Sequence, residues 1–201
     1  MTRKKKPNKP ELAEKIEAAD GAAAEAVKPY RETLPVRALS FASKMGDQPP
    51  LRLLCGAVIV AGLVARDARL TGAGARMLAS HSLATWTKNV IKNRIDRTRP
   101  NANGGDHPTI KPGTDTSKEE TSFPSGHSAG AAAVAAAFAR DYPEYRAPAY
   151  AAAGAIALAQ VPRCSHYPSD VGAGIAIGIA ADSVVEIAVR AARLAGDKAR
   201  S

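Results

Sequence analysis

Apolar positions along this chain fall in helix-length blocks separated by proline, glycine and charge, with no run that alternates at the two-residue period of a half-buried strand. The most apolar block, Leu53 to Ala65, is uncharged and bounded by Arg52 and Arg66. It falls short of the ~20 residues that a bilayer-spanning helix needs. From Ala73 to about Arg97 the pattern predicts a long helix with an apolar start and a basic end. Three more apolar helices are predicted at roughly 122–140, 147–160 and 170–194, the first two separated by Pro143 and the last gap bracketed by Pro162 and Pro168. Before these blocks, Leu34 to Met45 reads as a weakly amphipathic segment carrying Arg37 and Lys44, closed by Gly46 and Pro49-Pro50. Residues 1–32 read as a tail: a basic start, an Ala- and Glu-rich helix from Glu11 to Val27, then Pro29.

The pattern therefore predicts an all-α fold, a bundle of about five to six helices over residues 33–201 behind an N-terminal basic and amphipathic tail. Asn101 to Glu120 breaks it. That stretch is polar and holds Gly104-Gly105, Pro108, Pro112 and Gly113. Loops of this length inside a compact domain are more often lids or binding loops than connectors, which makes Lys111 and Lys118 candidate ligand contacts.

Composition changes the picture in one respect. Hydrophobic residues make up 45% of the 201, but the apolar blocks are dominated by Ala and Gly, the small residues that let helices approach closely inside membranes and in tight bundles. A net charge of +9 implies an anionic partner. It concentrates at Arg3, Lys4, Lys5, Lys6 and Lys9, and again from Lys88 to Arg99, where Asp96 is the single acid. Aromatic residues at 4% offer few stacking platforms, which argues against a single-stranded nucleic-acid binder. Cys55 and Cys164 match no zinc or disulfide spacing and read as free thiols. The N-terminus lacks the apolar core of a secretory signal.

Three short motifs carry chemistry. In Lys92-Asn-Arg-Ile-Asp-Arg-Thr-Arg99-Pro100, seven residues is close to two helical turns, which would turn Lys92 and Arg99 the same way. Pro100 should place Arg99 at or just past the helix end. Such a pair can grip a phosphate, and basic helix ends also arise simply to complement the macrodipole. In Phe123-Pro124-Ser125-Gly126-His127, Thr121 or Ser122 is a plausible N-cap, and the helix start offers N–H groups to an anion. Gly126 would clear space for a phosphate, Ser125 adds a hydroxyl, and His127 could deliver a proton. In His166-Tyr-Pro-Ser-Asp170, a carboxylate four residues after a histidine can fix its tautomer and leave the other ring nitrogen free to attack.

In order and in spacing, the three motifs resemble the signature of the phosphatidic acid phosphatase type 2 superfamily: Lys-x6-Arg-Pro, then Pro-Ser-Gly-His, then Ser-Arg-x5-His-x3-Asp. The resemblance covers about Leu51 to Arg190. It implies that His166 is the nucleophile, forming a phosphohistidine, and that Asp170 orients it. It makes His127 the acid for the leaving alcohol and then the base for water. Lys92, Arg99, Ser125 and the Gly126 N–H would bind phosphoryl oxygens, with no metal and no cofactor. One position departs: the family's Ser-Arg pair falls on Ala159-Gln160, and Arg163, three residues on, would have to supply the missing charge.

The implied function is metal-independent hydrolysis of a phosphomonoester or pyrophosphate on a phosphorylated lipid substrate. The implied setting is a multi-pass protein of the inner membrane with its site on the outer face. Two alternatives stay open: a weakened lipid-phosphate binding protein, suggested by Gln160, and a vanadium-dependent haloperoxidase, which shares the constellation. With the site outward, Arg66, Arg69, Arg76, Arg140 and Arg146 fall inside, as the positive-inside rule prefers. Putting the basic N-terminus inside as well needs an even number of spans, so the segment 34–45 would have to cross or dip into the bilayer despite Arg37 and Lys44.

Overall fold

The structure is a computed structural model that describes residues 10–102 and 109–198. The basic cluster Arg3 to Lys9, Gly104-Gly105, His107 and Pro108 lie outside the described residues. Among the described residues the fold is all-α apart from one small ribbon. Its helices are α1 (Glu11–Val27), α2 (Leu34–Ala42), α3 (Gln48–Ala65), α4 (Ala68–Lys92), α5 (Gly126–Asp141), α6 (Arg146–Leu158) and α7 (Pro168–Lys198). The ribbon pairs β1 (Ile95–Asp96) antiparallel with β2 (Lys111–Pro112).

Helix α5 is the axis. Its run from Ser128 to Ala137 is buried throughout, and α3, α4, α6 and α7 surround it. An alanine helix has too little side chain to fill a wide gap, so its neighbours must come close. On α7, a Cβ at Gly174 would stand 2.5 Å from the Ser125 carbonyl oxygen, and one at Gly178 would stand 2.4 Å from that of Ala129. Two glycines one turn apart thus let α7 lie against the α5 backbone, the small-residue contact that membrane helices use.

Helices α3 and α7 are long and apolar enough to cross a membrane, each holding an 18-residue stretch of mean hydropathy 1.6 and 1.7 respectively. Their outer faces are apolar: Leu53, Val60, Leu63 and Val64 on α3, and Val184 and Ile187 on α7, are exposed. At the end of the bundle away from α5's start, buried charges are paired. Arg76 bonds Asp141 at 3.0 Å and also Glu186, and Arg140 bonds Asp182 at 2.6 Å.

Several sequence expectations shift by a few residues. The long basic helix runs from Ala68, where Asp67 caps the Leu70 N–H, and ends at Lys92 rather than near Arg97. Beyond it the chain is extended. Arg97 and Arg99 donate backbone bonds to Glu120 and Glu119, and Ser122 donates back to Arg97. Lys92 and Arg99 therefore do not meet through two helical turns. The cap of α5 is Ser125, not Thr121 or Ser122, because Ser122 is committed to Asp170.

Helix α2 has nine residues, roughly 14 Å at 1.5 Å per residue, against a hydrocarbon core of about 30 Å. It does not cross. Asp47 at the start of α3, Lys92 at the end of α4, the start of α5, Gln160 after α6 and the start of α7 all lie at the same end of the bundle. Helix α1 packs there too, through Asp20. Helix α1 and the motif residues therefore share one end of the bundle.

Candidate active site

A cavity of about 1670 Å³ opens at that end, between the α2–α3 segment and the starts of α5 and α7. Lys92, Arg99, Gly126, His127, Gln160, Arg163 and His166 all line it. Of the nine candidate residues, only Ser125 and Asp170 do not. Lys88, Arg52 and Lys118 also face this space.

His166 sits on its floor, 3% exposed, in the short loop that leads into α7. The loop is held by the Gln160 carbonyl, which accepts the N–H groups of Ser165 and His166 at 3.1 and 3.3 Å. Nδ1 of His166 lies 3.7 Å from Asp170 Oδ2, facing it but beyond hydrogen-bond length. Burial pushes the imidazole down to about 4, against the attraction of Asp170 and with the help of Arg99 and Lys92. The ring is therefore neutral at physiological pH, with Nε2 available.

Asp170 is fully buried in the first turn of α7, and all its partners donate. Oδ2 accepts from the Ser122 hydroxyl at 2.6 Å and from the Tyr167 N–H at 2.9 Å; Oδ1 accepts from Arg97. Arg97, also fully buried, lies over the Tyr167 ring at 4.3 Å and donates to Ser169 Oγ and to Asp20.

The cations of the wall arrive from different elements. Lys88 and Lys92 are one turn apart on α4, and Lys88 lies beside Gly126, where a Cβ would come 3.3 Å from its Cε. Arg99 is fixed by carbonyls, donating to Lys118 at 2.7 Å, Ser165 at 3.3 Å and Thr121 at 3.4 Å; Lys92 also donates to Thr121. Burial lowers the Arg99 and Arg163 guanidiniums from their ordinary values, yet arginine keeps its charge. Arg163 donates to Ser43 Oγ at 2.5 Å and to Gln160 Oε1 at 3.4 Å. Gln160 is fully buried, and its amide also donates to the Ile156 carbonyl at 2.8 Å. At the family's arginine position there is thus a buried amide that props Arg163 at the cavity wall. The Ser125 hydroxyl is turned inward to cap α5, accepting from Ser128 Oγ at 2.9 Å, while its N–H donates to the Asp170 carbonyl at 3.0 Å.

His127 faces the cavity from the first turn of α5. Its Nε2 lies 2.9 Å from Asp47 Oδ1, out of line for a good hydrogen bond. Among the described residues, sequence reasoning missed Lys88, Arg97 and Asp20 as parts of this assembly. Lys88 was legible, being one helical turn before Lys92. Arg97 and Asp20 were not, because their significance is a contact across 77 residues.

Known proteins show the same framework. A crystal structure of LpxE from Aquifex aeolicus superimposes with a TM-score of 0.61 at 19% identity, over 81% of this chain and 91% of that one. The crystal structure of a transmembrane phosphatidylglycerolphosphate phosphatase from Bacillus subtilis does so with a TM-score of 0.61 at 23% identity, over 87% and 89%. Among curated proteins, a lipid A 1-phosphatase of Rhizobium etli is 49% identical over 57 residues, 28% of this chain and 25% of that protein. A decaprenylphosphoryl-5-phosphoribose phosphatase of Mycobacterium tuberculosis is 32% identical over 118 residues, 57% of this chain and 58% of that protein. The chain thus spans a quarter to rather more than half of the curated relatives it matches. The model of the PAP2 superfamily matches residues 73–193, the stretch that carries all three motifs and more than half of the sequence, and this chain belongs to that superfamily.

Proposed function

We propose that this protein is a metal-independent phosphatase that removes a phosphoryl group from a membrane lipid through a phosphohistidine on His166. The observation that carries the reading is the floor of the cavity: a buried, neutral imidazole whose Nδ1 faces a buried carboxylate, below a wall of fixed cations. Nε2 of His166 attacks phosphorus while the P–O bond to the lipid alcohol breaks, and His127 supplies the proton to the departing oxygen. A water then attacks the phosphohistidine, giving its proton to His127, and inorganic phosphate leaves. Lys88, Lys92, Arg99, Arg163 and the N–H groups at the start of α5 face the charge that builds on the phosphoryl oxygens. Phosphoryl transfer is catalysed largely by such positioning and charge stabilisation.

The exposed apolar faces of α3 and α7 support residence in a membrane. The substrate is then a lipid presented sideways to a polar, cationic cavity large enough for a bulky headgroup. The outward orientation expected from Arg66, Arg69, Arg140 and Arg146 would carry helix α1 to the outer face together with the site.

The test is phosphate release by detergent-purified protein from a panel of lipid phosphates, wild type beside His166→Ala, with EDTA present. Release by wild type that survives EDTA and disappears in the variant supports the mechanism and gives the substrate class. Gln160 favours one second reading, a lipid-phosphate binding protein with little turnover. Folded protein that binds these lipids and releases no phosphate from any of them would establish it.

A further inference from the structure

Asp170 is bonded to Arg97, and this creates an electrostatic problem. A guanidinium directly on the carboxylate cancels the negative charge that would support positive charge on His166. The structure places a second buried carboxylate on the same guanidinium. Asp20 of α1 accepts from Arg97 Nη2 at 2.7 Å, and its side chain is 3% exposed. Asp20 also accepts from the Ser169 N–H at 3.0 Å and from the Ser169 hydroxyl, so it caps the first turn of α7 from outside. The neighbouring Glu17 accepts from the Ile110 N–H at 3.1 Å, fixing α1 to the loop above the site as well.

We infer that Asp20 is a positioning residue for catalysis: it holds Arg97 and the start of α7, and it returns a net negative charge to the group behind the nucleophile. Among the described residues, two carboxylates and one guanidinium leave one negative charge in a water-excluded cluster. On the site side of that cluster stand Arg99 and Lys92, with His127 across the cavity. As His166 bonds to phosphorus its ring becomes cationic, and the excess negative charge behind it stabilises that state. The ground state, with a neutral ring, gains much less, so the effect falls on turnover rather than on binding. This inference rests on the reading of His166 as nucleophile. It goes beyond the family signature, because Asp20 lies outside the matched residues 73–193.

The test compares Asp20→Asn, Asp20→Ser and Ser169→Ala with wild type and with His166→Ala in full-length protein, following kcat, KM, the acid limb of kcat and thermal unfolding. Removing the Asp20 charge lowers kcat by about tenfold or more, a loss of about 1.4 kcal/mol or more in transition-state stabilisation, and leaves KM within about twofold. It also moves the acid limb to lower pH, because the protonated ring loses a stabilising charge. Whichever of the two Asp20 variants accumulates folded serves for this measurement. Ser169→Ala keeps the carboxylate on Arg97 and so keeps the wild-type acid limb. A folded Asp20 variant with wild-type kcat, or one whose loss leaves the acid limb unmoved, overturns the inference. So does a Ser169→Ala variant that shifts the acid limb as Asp20→Asn does, since anchoring alone would then explain both. Turnover surviving in His166→Ala would instead overturn the reading of the nucleophile itself.

Discussion

Arg163→Gln isolates the question raised by Gln160. Arg163 reaches the cavity wall from the turn after α6, held by Ser43 Oγ at 2.5 Å and by the Gln160 amide oxygen at 3.4 Å. Glutamine can keep a hydrogen bond to Ser43 but removes the charge. Ser43 is buried in the turn after α2, so thermal unfolding is measured beside activity to separate a loss of fold from a loss of charge. A charge-assisted hydrogen bond to a phosphoryl oxygen is worth about 1.5–3 kcal/mol. Realised in the transition state, that range corresponds to a fall of about tenfold to more than a hundredfold in turnover. The assay is phosphate release from the best lipid substrate, with kcat and KM separated and orthovanadate inhibition measured beside it. A cation that meets the phosphoryl group in the transition state predicts lower kcat/KM and weaker inhibition by vanadate, which resembles the pentacoordinate phosphorus. An Arg163→Gln protein within twofold of wild type on both readouts would refute the compensation. The site would then run on Lys88, Lys92 and Arg99 alone.

Three further outcomes follow from the same geometry. His166 is held near pKa 4 when folded against about 6.5 when unfolded, so the unfolded chain binds more protons between these values. This one group contributes about 3 kcal/mol of stability at the scale of 1.36 kcal/mol per unit. The contribution is present in full above pH 6.5 and lost as pH falls toward 4, which Ala at position 166 should flatten in a melting series. Gly178→Leu should destabilise by about 1–3 kcal/mol, the usual cost of overpacking. The new side chain meets the Ala129 carbonyl, so thermal unfolding should fall together with activity, whereas Gly172→Leu, with open space beside it, should leave both nearly unchanged. For topology, in a background with Cys55 and Cys164 replaced, cysteines at Glu32 and Lys118 should react with an impermeant maleimide from one side of the membrane. A cysteine at Glu144 should react only from the other, and labelling of Glu32 and Glu144 from one side would contradict the arrangement of α3 to α7.

The sequence carried the helices well because their signals are local. Apolar blocks end at prolines, and the Ala-rich stretch after Gly126 is fully buried as α5. Membership of the superfamily was legible for the same reason, since each motif is a short string at a helix end. What the sequence concealed was how the strings are brought together. Lys92 and Arg99 converge because the chain after α4 becomes an extended segment bonded to residues 119–122, a pairing that helical spacing cannot reveal. The hydroxyl of Ser125 read as a phosphate ligand, and it also serves as the N-cap of α5, accepting from Ser128. The amphipathic pattern of Glu11 to Val27 suggested a tail, and one acidic residue on it, Asp20, is buried against an arginine far along the chain. No periodicity marks such a residue. A buried charge is recognised only by the partner that pays for its desolvation.

The two sides of His166 differ in a way that bears on catalysis. In front, Lys88 and Lys92 on α4, Arg99 in the segment after it and Arg163 in the turn after α6 face the cavity together. Behind, Asp170, Arg97 and Asp20 bond one another and hold one net negative charge out of water. In the proposed mechanism, a phosphoryl group entering between them would bring negative charge to the cationic wall, while the attacking imidazole would become positive against the anionic cluster. Both changes would then be stabilised at once by charges already in place, the condition under which fixed charges act on the transition state more than on the bound substrate. On this reading, Gln160 at the family's arginine position would weaken only the front, and only to the extent that Arg163 fails to fill its place. Loss of Asp20 would weaken the back and leave the front intact. Arg163→Gln should therefore blunt vanadate inhibition without moving the acid limb of kcat by much, and Asp20→Asn should do the reverse. A double variant whose losses in kcat multiply would show that the two faces act independently on one nucleophile.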